Sequence, residues 1–343
     1  MARNRNVHES VSPTREVLPV RRWHSYTCWV FSLTIALASA STNREAKAEA
    51  QWFLSTGAWV PVLPDYKAVA KTSATPVNDV FVDDQTGVGA QLTLGGFYRF
   101  GETRTMFESD LQIAGAGSIG SSQTFSDAVP GENYWFPSLD GLGTIAAGSF
   151  NPMAVKVDSD VFHLHKYVGL RDHFSLDWIG LGDITIGCGF SWMSFDQDFQ
   201  TDARIEAGPR GQYIEDLDTN YLGGEFRGTL RQSIFGQICY FDARYGIYEM
   251  DADYFGTSRI YLGTGALFSE SQVSAGLKQT TTTVDLAVRT DVCVAGWWVR
   301  PSIGFKYFDD MAQIVHPQRP SNSPTTLATD SAYIFNGSLE FVF

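Results

Sequence analysis

Beyond residue 50 the sequence has no stretch of about 18 uninterrupted apolar residues, the length a helix needs to cross a bilayer, and this excludes a helical inner-membrane protein. Charge is scarce, 18% of residues, and lopsided: 25 Lys and Arg against 38 Asp and Glu give a net charge of −13. Residues 51–343 alone keep 18 basic and 34 acidic side chains, about −16, which excludes nucleic-acid binding by phosphate neutralisation. Cysteine is scarcer still. Past residue 50 there remain Cys188, Cys239 and Cys293, an odd, widely spaced set that allows at most one bridge and requires none. Histidine over the same span is limited to His163, His165, His173 and His316, and no Gly-x-Ser-x-Gly elbow stands out. No nucleophile with its base and orienting group can be read, so no enzyme is expected; an aspartate-based hydrolase stays open.

What is plentiful suits short strands and tight turns: 32 Gly, 24 Phe, 14 Tyr and 9 Trp, in a chain whose 44% hydrophobic content suffices for a sizeable core. Residues 1–50 stand apart from this. Arg15, Arg21 and Arg22 precede the apolar run 29–38, which is too short to span a bilayer and suits a signal h-region, and small-x-small triplets follow at 38–40 and 48–50. The reading is a signal peptide over 1–50, cleaved after Ala50 or after Ala40, with an N-terminal membrane anchor as the alternative. Cys28 precedes the apolar run, so lipid attachment there is not expected.

Apolar and polar side chains alternate along much of 51–343, which in a strand sends them to opposite faces. At the C-terminus Tyr333, Phe335, Gly337, Leu339, Phe341 and Phe343 share one face, and Asn336, Ser338 and Glu340 fall with Ile334 and Val342 on the other. Residues 284–294 and 297–307 form a hairpin about Ala295-Gly296 with one greasy and one charged face. Further hairpins are expected at 88–100 with 103–115 about Gly101-Glu102, at 173–181 with 184–197 about Gly182-Asp183, and at 221–232 with 234–246 about Gln232-Ser233, the last strand having mixed faces. The acidic stretch 200–219 and the Pro-bearing stretch 309–330 read as long exposed loops.

Tight turns on one side and long loops on the other are the asymmetry of outer-membrane barrels. The expectation is therefore all-β: an antiparallel up-and-down transmembrane β-barrel over 51–343. One entering strand near 51–60, four hairpins and a closing strand make ten, and pairs hidden in 143–168 and 255–278 widen the range to roughly 10–14, with about 12 preferred. A secreted β-sandwich is one alternative. A short periplasmic plug or extra domain in 116–172, where the pattern is weak, is another.

The run Tyr333-Ile-Phe-Asn-Gly-Ser-Leu-Glu-Phe-Val-Phe343 resembles the aromatic-terminated closing strand of bacterial outer-membrane barrels, and residues 51–343 are similar in style to the putative β-barrel porin families of Gram-negative bacteria. The resemblance implies location in the cell outer membrane and pore formation. It also implies an assembly signal for the barrel-assembly machinery in Tyr333, Phe335, Leu339, Phe341 and Phe343.

Polar groups that do not face lipid face the lumen, so the expected pore lining is Arg104, Glu108, Asp110, Glu225, Arg227, Arg231, Asp285, Arg289, Asp291, Arg300 and Lys306. Both signs are present. Such charges either orient solutes in an open pore or neutralise one another and fill a narrow barrel. Acidic loops would bias ion access toward cations. His163 and His165 share a strand face and His173 could approach them, but no carboxylate or cysteine sits at ligand spacing, so no metal and no cofactor is expected. Trp52, Trp59, Trp135, Trp178, Trp192, Trp297 and Trp298 read as interfacial belts rather than sugar platforms. The expected function is a porin-like channel for passive diffusion of small hydrophilic solutes or ions. The alternative is a non-conducting structural or surface-recognition barrel. Expected partners are outer-membrane lipid, the assembly machinery and small solutes, with a homo-oligomer left open.

Overall fold

The computed structural model describes residues 50–72, 79–80, 85–99, 103–125, 133–146, 152–176, 182–206, 208–294, 297–317 and 323–342. The expected signal segment up to residue 49, the turns Gly101-Glu102 and Ala295-Gly296, Trp178 and Phe343 lie outside the described residues. The described elements are β1 (Ala50–Val62), β2 (Val69–Thr72), β3 (Asp79–Val80), β4 (Gly89–Arg99), β5 (Thr105–Phe125), β6 (Asn133–Pro137), β7 (Thr144–Ala146), β8 (Met153–Ser175), β9 (Asp183–Ile205), β10 (Arg210–Ile234), β11 (Gln237–Tyr261), β12 (Leu267–Thr290), β13 (Val292–Val294), β14 (Trp297–Val315) and β15 (Thr326–Val342).

Ten of these close a ring. Each pairs antiparallel with its neighbours in the order β1, β4, β5, β8, β9, β10, β11, β12, β14, β15, and β15 returns to β1 with Phe53 opposite Val342 and Val62 opposite Tyr333. The short β13 pairs with the start of β14. Ring closure rules out a sandwich and puts the number of long strands at the lower end of the expected range. The face assignment of the last strand holds: Tyr333, Phe335 and Leu339 point outward and exposed, Ile334 and Glu340 inward and buried.

Eight of the ten ring strands are far longer than a membrane requires, β1 and β4 having 13 and 11 residues. A barrel strand crosses the hydrocarbon in about 9–11 residues, whereas β9 has 23 and β10 and β11 have 25 each. Side-chain polarity marks where the bilayer ends. On β9 the outward residues Ile184, Ile186, Cys188, Phe190 and Trp192 give way to Asp196, Asp198, Gln200 and Asp202. On β10 the change falls between Leu222 and Asn220, and on β11 between Ile247 and Glu249. The inward face changes in the opposite sense, from Arg227 and Glu225 to Tyr221, Leu217 and Tyr213 on β10. The long strands β8 to β11 thus have a membrane half, apolar outside and polar inside, and an outer half built like a soluble protein, polar outside and apolar inside. Lys166 departs from this in the outward belt of β8 and donates to Ser109 Oγ at 2.7 Å.

Several expectations change. Residues 200–219 are not a loop: they are the outer halves of β9 and β10, joined at 206–209, and their acidic side chains are the outward set of an alternation whose inward set is Thr201, Ala203, Tyr213 and Leu217. Of 309–330, only 316–325 lies outside β14 and β15. The β10–β11 turn sits at Phe235-Gly236 rather than 232–233, because these two residues take positive φ (50° and 79°), the geometry of a two-residue type I′ hairpin. Within 116–172 an extra unit does exist, but at the outer end. Strands β6 and β7 join β2 and β3 in a four-stranded sheet in the order β3-β2-β6-β7. Val69, Phe136, Leu139 and Ile145 from this cap share one buried cluster with Ala203, Ile205, Tyr213, Leu217 and Tyr254 of the barrel wall.

If the belt faces hydrocarbon, Phe226→Arg will cost about 2–4 kcal/mol in the urea-dependent folding equilibrium of the barrel in lipid vesicles. Gln200→Arg, on the same outward face but above the belt, will stay within about 0.5 kcal/mol of the parent.

Candidate functional site

In the membrane half the inward positions of seven strands converge on a layer of ion pairs. Arg227 on β10 is its centre. Its Nη1 donates to Glu108 Oε1 on β5 at 2.9 Å and to Asp110 Oδ2, its Nε donates to Glu225 Oε1 at 2.5 Å, and its guanidinium lies 3.4 Å from the centre of the Tyr167 ring on β8. The second Glu225 oxygen accepts from Tyr248 Oη at 2.9 Å and lies 3.4 Å from His165 Nε2. Tyr167 and Tyr248 lie flat against Gly169 and Gly246, two residues along their own strands, where an added Cβ would fall 2.1 and 2.2 Å from the tyrosine. Those glycines leave the room in which the two rings lie.

A second knot lies toward the short-turn end. Arg289 grips Asp242 with Nε at 2.7 Å and Nη2 at 2.9 Å and reaches Glu340 at 3.1 Å, while Arg300 donates to Asp291 at 2.5 Å and to Glu340 at 3.2 Å. Both guanidiniums lie over the Tyr240 ring. Between the two knots Arg244 faces Asp285 at 3.8 Å, and a cavity of about 120 Å³ remains.

Toward the outer end the ion pairs meet an aromatic layer. His163 stacks on Phe195 with ring centres 4.1 Å apart and on Trp59 at 6.1 Å, and Phe308 and Tyr221 abut Phe195 edge-on. All five side chains are at most 1% exposed. Lys306 is buried beside Met193 Sδ at 3.0 Å.

Farther out, the cap is held by one buried carboxylate. Glu215 on β10 accepts from Tyr254 Oη at 2.6 Å, from Tyr66 Oη, and from His316 Nε2 at 2.8 Å. The other His316 nitrogen faces Lys67 O at 2.7 Å. Both nitrogens donate only when the ring is charged, and although burial works against that charge, Glu215 outweighs it and lifts the His316 pKa. On the outward face of the same region carboxylates oppose one another across strands: Asp196 with Asp218, Asp218 with Asp253, Asp160 with Asp198, and Asp198 with Asp216. Partial burial, and then these neighbours, push Asp216 and Asp218 up to about 6.

Of the eleven residues expected to line a lumen, Glu108, Asp110, Glu225, Arg227, Asp285, Arg289, Arg300 and Lys306 are in or beside the ion-pair layer. Arg231 and Asp291 sit at the short-turn end, and Arg104 is exposed in the turn before β5, outside the lumen. The sequence reading missed Arg244 and Asp242, because inward tyrosines on β11 blur its alternation, and it missed Arg171, Tyr167 and Tyr248; it put Glu340 on the inward face without counting it among the lining residues. His173 is 3.7 Å from Asp183 at the short-turn mouth and does not join His163 and His165. Among the described residues no group of three or more His, Cys, Asp or Glu is arranged to hold a metal. Trp59 is wholly buried in the lumen rather than in an interfacial belt, whereas Trp52 and Trp298 are exposed.

No protein-family model matches the chain, and no curated protein matches it. Solved structures similar to it include the translocator domain of the autotransporter NalP from Neisseria meningitidis, with 10% identity, TM-score 0.38, 92% of this chain covered and 95% of that one. Others are the outer-membrane protease OmpT from Escherichia coli, with 7% identity, TM-score 0.40 and 88% and 99% covered, and the transport unit of the autotransporter AIDA-I from Escherichia coli, with 8%, 0.24, 92% and 97%. The barrel assignment rests on the closed ring of pairings and the outward apolar belt.

Removing the central cation leaves three carboxylates facing one another, so Arg227→Ala will cost about 3–5 kcal/mol in denaturant unfolding, and adding Asp110→Asn and Glu225→Gln will recover part of it. Raised carboxyl pKa values mean that protonation favours the fold. That stability is full below about pH 4, the unfolded value, and is lost as pH rises through about 6. The outer half will therefore resist proteolysis better at pH 5 than at pH 8. Asp218→Asn will remove much of the difference, of order 1 kcal/mol after allowing for solvent screening.

Proposed function

We propose that the protein is a non-conducting outer-membrane barrel, without catalytic activity, whose work is structural or recognitional and is done by its outer half. The observation that carries this reading is the fully buried aromatic layer of Trp59, His163, Phe195, Tyr221 and Phe308 lying across the lumen directly above the ion pairs. Charges of both signs in the lumen were open to two readings, an open pore or a filled barrel. The Arg227 knot favours the filled one, since the side chain is buried with its Nη1 on Glu108 and Asp110 and its Nε on Glu225 rather than presented to solutes, Nη2 alone lacking a partner among the described residues. The cap adds a second closure, packed into the outer half through Phe136 on Tyr213 at 4.1 Å and Tyr66 on Phe199 at 4.6 Å. What remains presented outside the membrane is a rigid acidic wall, a surface suited to holding cations or basic partners at the cell exterior.

Planar-bilayer recording on the refolded chain, checked for heat-modifiable migration, tests this. The expected result is a folded barrel without ion-selective conductance steps. Stable steps would overturn it in favour of a porin-like channel for small hydrophilic solutes, and reversal potentials would then report the ion preference.

A further inference from the structure

The short-turn mouth of the lumen differs in charge from everything around it. A cavity of about 280 Å³, near the lower end of small-molecule pockets at roughly 300 Å³, is lined there by Arg99, Arg171, Arg231, Arg289 and Arg300, with Asp183 as its carboxylate. Among the described residues five guanidiniums line it against one carboxylate, an arginine-rich recess in a chain of net charge −13. The 120 Å³ cavity deeper in the lumen shares Arg171 and Arg289 with this recess but is also lined by Glu108, Asp110, Asp242, Asp285 and Glu340, so arginine outnumbers carboxylate at the mouth and not in the deeper cavity.

These arginines are held in place. Arg171 lies over the Phe97 ring at 4.7 Å with Nη1 on Glu108 at 3.3 Å, Arg289 and Arg300 share the Tyr240 face, and Arg231 is tied to Asp183 at 3.0 Å. Their carboxylate partners, except Asp183, are not among the residues lining the recess. Arg99 lines the same space, its Nη2 4.0 Å from Met106 Sδ. Guanidiniums fixed on aromatic faces lose little entropy on meeting an anion, and their planar forks match carboxylate and phosphate oxygens. Phe97 and Met106 add an apolar floor.

We infer that this recess binds a small soluble polyanion bearing carboxylate or phosphate groups, taken from the compartment at the short-turn end. The recess adjoins the deeper cavity, with which it shares Phe97, Arg171, Thr229 and Arg289, and the inference does not depend on whether the barrel conducts.

Isothermal titration of the folded full chain in detergent micelles with citrate, succinate and inorganic phosphate, at ionic strength fixed by sodium chloride, tests the inference and separates carboxylate from phosphate. Saturable binding of at least one probe is expected. It should weaken at least tenfold in Arg99→Ala and in Arg231→Ala, tighten in Asp183→Asn, and stay within twofold in Arg104→Ala, whose arginine is outside the recess. Arg231 is about half exposed, 47%, so its variant keeps the test alive if Arg99→Ala fails to show heat-modifiable folding. Absence of saturable binding by all three probes, or equal weakening by Arg104→Ala, would overturn the inference.

Discussion

Ten tilted strands enclose a space only slightly wider than one that side chains fill by themselves, and most of the molecule follows from that narrowness. Inward residues from opposite walls come within reach of one another, leaving a cavity of about 120 Å³ between the two ion-pair knots. In the membrane half the outward positions are reserved for lipid, which leaves the inward ones free to be polar. Charges placed there are deprived of bulk water and have to be matched to one another. Arg227 from β10 meeting Glu108 and Asp110 from β5 is the result: residues more than a hundred positions apart in sequence meet across the barrel and pair. A buried charge group of this kind adds little net stability over an apolar filling, but it tolerates no partial deletion.

Above the bilayer the same ring obeys different solvent rules. Water replaces lipid outside, so the hydrophobic driving force turns inward and the outer half acquires an ordinary apolar core. The cap strands complete it, supplying Phe136, Leu139 and Ile145 where the wall alone would leave its end open. The carboxylate buried there, Glu215, has three donors around it, and each comes from a different stretch of chain: Tyr66 before β2, Tyr254 in β11 and His316 after β14. One carboxylate thereby ties two connecting segments to the wall.

The membrane half was readable from sequence wherever lipid-facing and lumen-facing residues differ sharply, as in 284–294 and 333–342. The outer half was not, because alternation changes phase along each strand. Asp216, Asp218 and Asn220 look like a loop until Tyr213, Leu217 and Tyr221 between them are seen to form the buried set. A segment polar by composition but apolar on every second residue is a strand with a soluble-protein face. The pairing of Arg227 was unreadable for another reason: strand register and ring size decide which inward charges meet, and neither is written locally. The cap was hidden because its strands, three to five residues in β6 and β7, are too short to show a period.

The ring is sealed by its first and last strands. Ser55 on β1 donates to Ser338 on β15 at 2.9 Å across 283 positions of chain. In kinetic terms the β1–β15 seam is the least local pairing among the described strands, so chain entropy opposes it until nearly everything else is in place. Every other neighbour in the ring can zip up from a nearby hairpin or loop, but this seam has to wait for the final residues. Until they arrive, β1 and β14 each present an unpaired edge to any other strand nearby, which makes the interval before closure the stage at which the protein is most exposed to mispairing.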